Sequence, residues 1–231
     1  MNIFTGYSLN KQTNYAKIKS IQIKINQMEK IMKNKEYSAG IMSQSFWFQE
    51  CRQFIELLRE NKTETELKMI VIEENLFGAP NEYRAKRMYG YISNRVKSVE
   101  SGLMEIFLSS DIETQKLIIL IATIRKDKLF FEFLYEVYRE KIILGENQIG
   151  IADVDKFFRY KETQNDELLS WQDTTKKRVQ SAYLTFMTEA NLLRSNKKIR
   201  IITPPLVDMR LEKYLRINGE TAILKALTGE V

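Results

Sequence analysis

Apolar residues recur every three or four positions along most of the chain, the period of helices that bury one face. With only 9 Gly and 3 Pro to interrupt it, the pattern predicts an all-α fold, mostly helical with at most one small β wing. The elements group into two helical bundles with helix-turn-helix and winged-helix-like parts. Residues 1–36 form a basic leader, in which Ile18, Ile21, Ile25, Met28 and Met32 make a narrow helical stripe among lysines. The stripe is too short for a self-sufficient coiled coil. It suits a helix docking on the body, or an arm that meets a partner or a DNA backbone.

A first bundle is expected over residues 37–100. One helix covers roughly 43–60, Asn61-Lys62 breaks it, and Thr63 with Glu66 forms a capping box for a second helix to about Glu74. Gly78-Ala79-Pro80 ends that helix and starts a third, since proline suits a first turn where its missing N–H costs nothing. Three tightly joined helices outline a helix-turn-helix unit, and equally any small bundle. The softer stretch from Ser98 to Ser109, with Gly102, sets a boundary near residue 100.

Residues 101–231 read as a winged-helix-like domain. Ser110 and Glu113 make a second capping box, and the run Leu117 to Ile121 is apolar on all sides, so it belongs at the centre of a core. An aromatic-rich helix follows from Asp127 to Leu144 and stops at Gly145. Then come a short strand at Gln148-Ile149, a helix from about Ala152 to Lys161 and a polar loop from Glu162 to Glu167. Ser170 and Asp173 cap a long helix to about Leu193, and Ile199 to Ile202 has strand character before Pro204-Pro205. Helix, strand, helix, long helix, strand is the winged helix-turn-helix order. Helices near Val207–Leu215 and Gly219–Leu227 close the domain.

Two helices place cations opposite their apolar faces. On the one from Asp173, Val179, Ala182, Tyr183, Phe186, Ala190 and Leu193 share one stripe, and Thr174, Lys177, Ser181 and Thr188 lie opposite with Arg178 and Thr185 at the edge. The second follows Pro80, with Ala85, Met88, Ile92, Val96 and Val99 inward and Tyr83, Lys86, Arg87, Gly90, Asn94 and Lys97 outward. Gly90 gives room for close approach of a phosphate or for packing against another helix. Between Glu189 and Asp208 no acidic residue intervenes, and Arg194, Lys197, Lys198 and Arg200 gather on a turn and an edge strand where they can meet phosphates, or merely discourage strand pairing. Arg178, Arg87 and Asn94 are the side chains suited to bidentate base reading. Phe46, Trp47, Phe48, Phe130, Phe131 and Phe133 sit in apolar runs and are expected in the core, and Trp171 anchors a helix start.

Composition narrows the chemistry. The 231 residues include no histidine and one cysteine, Cys51. That excludes His-based acid–base catalysis, Ser-His and Cys-His nucleophiles, ordinary zinc sites and an intramolecular disulfide. Neither a phosphate-binding loop nor a dinucleotide fingerprint is present. Acidic pairs such as Glu73-Glu74 and Asp153 with Asp155 have no spacing that sets them apart from solvated helix residues. The expectation is therefore a protein with no catalytic residues, cofactor or metal, and Cys51 as a buried thiol. The N-terminus lacks a secretory signal, the longest apolar runs are far short of the roughly 20 residues of a membrane span, and the mean hydropathy is −0.35. A cytoplasmic protein without membrane contact is expected. The formal charge of +6 hints at a polyanionic partner, and the local clusters strengthen that reading.

Several segments share their order with a known family. They are Tyr37-Ser38-Ala39, the Phe54-Ile55-Glu56-Leu57-Leu58 helix, Glu73-Glu74-Asn75-Leu76, and Arg84-Ala85-Lys86-Arg87 with Asn94-Arg95-Val96. Later come Phe133-Leu134 with Val137, Glu140 and Lys141, then Asp155 with Phe157-Phe158, and Ser170-Trp171 with Asp173-Thr174-Thr175, Lys177 and Val179. Over roughly residues 37–193 the chain resembles the BrxA family of bacteriophage exclusion (BREX) systems. The resemblance implies a non-catalytic, all-α protein with helix-turn-helix elements that binds double-stranded DNA. It also implies partners among a DNA methyltransferase, an ATPase and a phosphatase-like protein. The family has been likened to the RNA-binding factor NusB and has carried an inner-membrane label, which the hydropathy argues against. An RNA-binding factor and a protein-interaction adaptor are therefore the alternatives, and the leader before Tyr37 departs from the family pattern.

Overall fold

The computed structural model describes residues 36–60, 62–196 and 199–230. The leader stripe, Lys197 and Lys198 lie outside them. In chain order the described helices and strands are α1 (Phe48–Leu58), α2 (Glu64–Lys68), α3 (Glu82–Val96), α4 (Ser101–Ser109), α5 (Ile112–Ile124) and α6 (Lys128–Phe133). After them come α7 (Arg139–Ile143), β1 (Gln148–Ile149), α8 (Ile151–Glu162), α9 (Asp166–Ser170) and α10 (Asp173–Glu189). The chain closes with β2 (Leu193–Asn196), β3 (Ile199–Ile202), α11 (Met209–Ile217) and α12 (Thr221–Thr228). The fold is mostly helical, as the period of the apolar residues predicts, with one small antiparallel sheet in the order β1-β3-β2.

Helix starts are set by short polar side chains that accept the first free backbone N–H groups. Asn81 accepts from Arg84 at 2.9 Å, Asp127 from Phe130 at 2.9 Å and Asn165 from Leu168 at 2.8 Å. The Thr63–Glu66 capping box forms as expected, with both reciprocal bonds. Two expected caps move. Asp111 rather than Ser110 caps α5, accepting from the Thr114 N–H at 2.8 Å. Ser170 donates to the Glu167 carbonyl at 2.6 Å, and α10 begins after Gln172 with no side-chain cap.

The softer stretch before Ser109 is helix α4, packed on α5. The aromatic helix starts at Asp127, passes through a π-helical stretch at Leu134–Tyr138 and stops where Gly145 takes a φ of 71°. One hydrophobic cluster runs from Tyr37 to Leu227, and Ile118 to Ile121 at its centre are fully buried. The strand Ile199–Ile202, expected at an edge, is the central one, because β1 pairs with it on the side away from β2.

The largest local departure is at the first helix, expected from residue 43. It begins at Phe48 instead, after a short 3-10 turn at Gly40–Ser43 and a non-helical run over residues 44–47, in which Trp47 takes a left-handed φ of 48°. Its cause is Arg95, only 3% exposed although charged. This side chain donates to the Phe46 and Ser45 carbonyls at 2.5 and 3.1 Å and to Gln44 Oε1 at 3.0 Å, so these acceptors are satisfied without a helix. Its guanidinium also lies 5.2 Å from the Phe186 ring centroid, and Nη1 reaches Cys51 Sγ at 3.8 Å. The Cys51 thiol is buried as expected, and burial pushes its pKa up to about 11.

Candidate nucleic-acid interface

The Arg95 clamp presents residues 42–47 against two helices that sequence alone leaves unconnected. Between them lies a cleft of about 560 Å³, lined by Trp47, by Tyr83, Arg84, Arg87 and Tyr91 of α3, and by Arg178 of α10. The two cationic helix faces therefore meet at one place. Arg87 from one and Arg178 from the other line the same space, and among the described residues no carboxylate lines it. The cleft continues along α10 past Ser181 and Thr185, with Met42, Gln44, Ser45 and Arg178 shared between the two stretches. On its other side a shallower depression shares Gln44 and Tyr91 and adds Asn94 and Lys126.

The outward faces follow the helical period except at Thr188, which is half-buried and donates to the Leu184 carbonyl. Tyr83, Lys86, Arg87, Gly90, Asn94 and Lys97 are exposed, and so are Thr174, Lys177, Arg178 and Ser181. Among the described residues, a Cβ placed on Gly90 would meet no other element within 4 Å, so no described helix packs against this glycine. Among the described residues, no carboxylate within ion-pair distance is found for Arg84, Arg87, Lys97, Lys177, Arg178, Arg194 or Arg200. Lys86 differs, being paired with Glu82 at 2.5 Å one turn earlier.

The hairpin does not extend this surface as one patch. Arg194 stands opposite Ile201, whereas Arg200 stands opposite Ser195 and Ile149, so the two arginines project from opposite faces of the sheet. Arg194 is exposed and lines a different cleft of about 670 Å³ that also holds Thr188 and Glu113, and Arg200 is half-buried. Lys197 and Lys198, between the strands, lie outside the described residues.

Among the lining residues, Arg84, Trp47 and Tyr91 carry cationic or aromatic groups that are not site candidates from sequence. Arg84 sits one turn before Met88, at the edge of the outward stripe. Trp47, expected in the core with its Phe neighbours, is only half-buried and stacks on Tyr91 at 6.1 Å with 26° between the rings. Tyr91 follows Tyr83 and Arg87 at four-residue steps, and the Arg87 guanidinium lies 5.9 Å from both tyrosine centroids. That spacing was visible in the sequence, but the left-handed turn that brings Trp47 to it was not.

The fold and this surface define a class: a mostly helical protein with an arginine-rich cleft between two helix faces. Among the described residues no helix is long and apolar enough to cross a membrane, and no cluster of acidic and cysteine side chains could hold a metal ion. The family model for BrxA matches residues 35–219. The BREX protein BrxA of Bacillus cereus (strain H3081.97) is 32% identical over 200 residues, covering 87% of this chain and all of that protein. The chain belongs to the BrxA family of BREX systems. A crystal structure of an uncharacterized protein from Magnetospirillum magneticum shares the fold, with a TM-score of 0.72 at 20% identity over 85% of this chain and all of that one.

Proposed function

We propose that the protein is a non-catalytic, double-stranded DNA-binding component of a BREX phage-defence system, working beside the methyltransferase, ATPase and phosphatase-like protein. One observation carries the reading: Arg87 of α3 and Arg178 of α10 line a single cleft with no carboxylate among its described lining residues. Cations held without a pairing anion are matched to phosphates, and each phosphate they neutralise releases counterions. The element order from β1 through α8 and α10 to the β2–β3 hairpin supports it, because it resembles a winged helix-turn-helix with the short helix α9 inserted between its two helices. In that arrangement α10 is the helix offered to a groove, with Lys177, Arg178 and Ser181 on its free side. Contacts of this kind position the protein on DNA and carry little sequence information.

Reversing charge in the cleft tests the reading. Arg87→Glu together with Arg178→Glu is expected to weaken binding of a short random-sequence duplex at least tenfold, about 1.4 kcal/mol, without lowering the melting temperature, since both side chains are exposed. A folded double mutant with unchanged affinity contradicts the site. Tighter binding of an RNA hairpin than of the duplex by the unmodified protein contradicts the choice of nucleic acid.

A further inference from the structure

Phosphate gripping accounts for the arginines of the cleft but leaves its aromatic side chains without a role. Tyr83, Arg87 and Tyr91 succeed one another by one helical turn on α3, and Trp47 stacks on the last, so four planar groups form a ladder along one wall. The outermost member is open, because Tyr83 is 72% exposed. A fully paired duplex shows phosphates and base edges to a protein, and its base faces are already stacked on one another. An aromatic ladder gains nothing from it. Unpaired bases offer free faces, and stacking on aromatic and guanidinium planes is how proteins hold them.

We propose that the cleft takes an unpaired nucleotide of a DNA strand, its base stacked on the Tyr83–Arg87–Tyr91 ladder and its phosphate held by Arg84 and Arg178. This rests on the DNA-binding reading and names the form of DNA preferred: a duplex with a single-stranded end or an extruded base. The cleft, at about 560 Å³, is of the size that encloses a small molecule and not a double helix. It is also open at one end. The stripe Tyr83, Arg87, Gly90, Asn94, Lys97 continues the exposed face of α3 beyond it, and among the described residues no neighbouring side chain or other element would meet a Cβ at Gly90 within 4 Å. A strand leaving the cleft passes over that glycine toward Asn94 and Lys97.

The test compares a blunt duplex with the same duplex carrying a short thymidine overhang, by fluorescence anisotropy. The overhang is expected to bind at least tenfold tighter. Tyr83→Ala should bring that ratio close to one, and Tyr83→Phe, which keeps the ring, should preserve it. Trp47 supplies a second readout, because the chain has 2 tryptophans and Trp171→Phe leaves Trp47 as the sole indole. Its fluorescence should be quenched by a thymidine tetranucleotide. Equal affinity for the two duplexes, or a preference that Tyr83→Ala leaves intact, overturns the stacking site while the DNA-binding reading stands. No binding of either duplex overturns both.

Discussion

Replacing Arg95 with alanine is expected to destabilise the protein by about 3–5 kcal/mol, lowering the melting temperature by roughly 10 °C at this chain length. Truncation leaves the buried Phe46 carbonyl without its donor, removes the part-buried bonds to the Ser45 carbonyl and Gln44 Oε1, and leaves a void against Phe186 and Cys51. A backbone acceptor buried without a donor forfeits its hydration as well as the bond. Because Gln44, Ser45 and Trp47 line the cleft, DNA affinity should fall with stability, although Arg95 itself lines only the neighbouring depression. Arg95→Lys separates volume from hydrogen bonding: it restores the charge and most of the volume, but a single ammonium cannot serve three acceptors in the plane of a guanidinium. Its loss should lie between wild type and alanine. Thermal melting of the two variants checks this, and an alanine variant within 1 °C of wild type would show that the clamp is dispensable.

The second large effect is expected at Glu220. Its carboxylate accepts from Arg125 twice, at 2.5 and 2.8 Å, and both side chains are about a tenth exposed. Arg125 also donates to the Ser98 carbonyl, so this pair joins the ends of α3 and α5 to the start of α12. Glu220→Ala leaves a buried guanidinium without this carboxylate, and breaking a buried pair from one side costs about 3–5 kcal/mol. Glu220→Gln keeps one acceptor and should lose less. Urea denaturation followed by far-ultraviolet circular dichroism would show a lower midpoint at unchanged slope for both, with alanine the lower. Equal midpoints for wild type and alanine would mean that solvent already screens the pair.

Both residues show where sequence reasoning reached and where it stopped. The outward and inward stripes of α3 and α10 were legible because helical period alone decides which side chains share a face. The core run Leu117 to Ile121 was legible because no face of it is polar. Arg95 carried a signal that was passed over: it falls on the inward side of α3 between Ile92 and Val99, where a charge must find buried acceptors. The cleft was not legible, since it depends on Arg95 holding residues 44–47 out of helix so that Trp47 reaches Tyr91 and α3 comes to lie across from α10. The basic cluster Arg194 to Arg200 read as one patch because sequence proximity hides strand alternation. Once β1 and β2 flank β3, its two described arginines fall on opposite faces.

The central claim is that cations on two helix faces grip DNA phosphates. Its most direct test is the affinity of the purified protein for a short random-sequence duplex across a salt titration. Each phosphate neutralised contributes about −0.9 to the log–log slope. Arg84, Arg87, Lys177 and Arg178 acting together predict a slope near −4, and the Arg87→Glu, Arg178→Glu variant should flatten it by roughly 2. Affinity that does not change with salt, or a slope that the double reversal leaves intact, would contradict phosphate gripping by this cleft and turn attention to the protein partners of the BREX system.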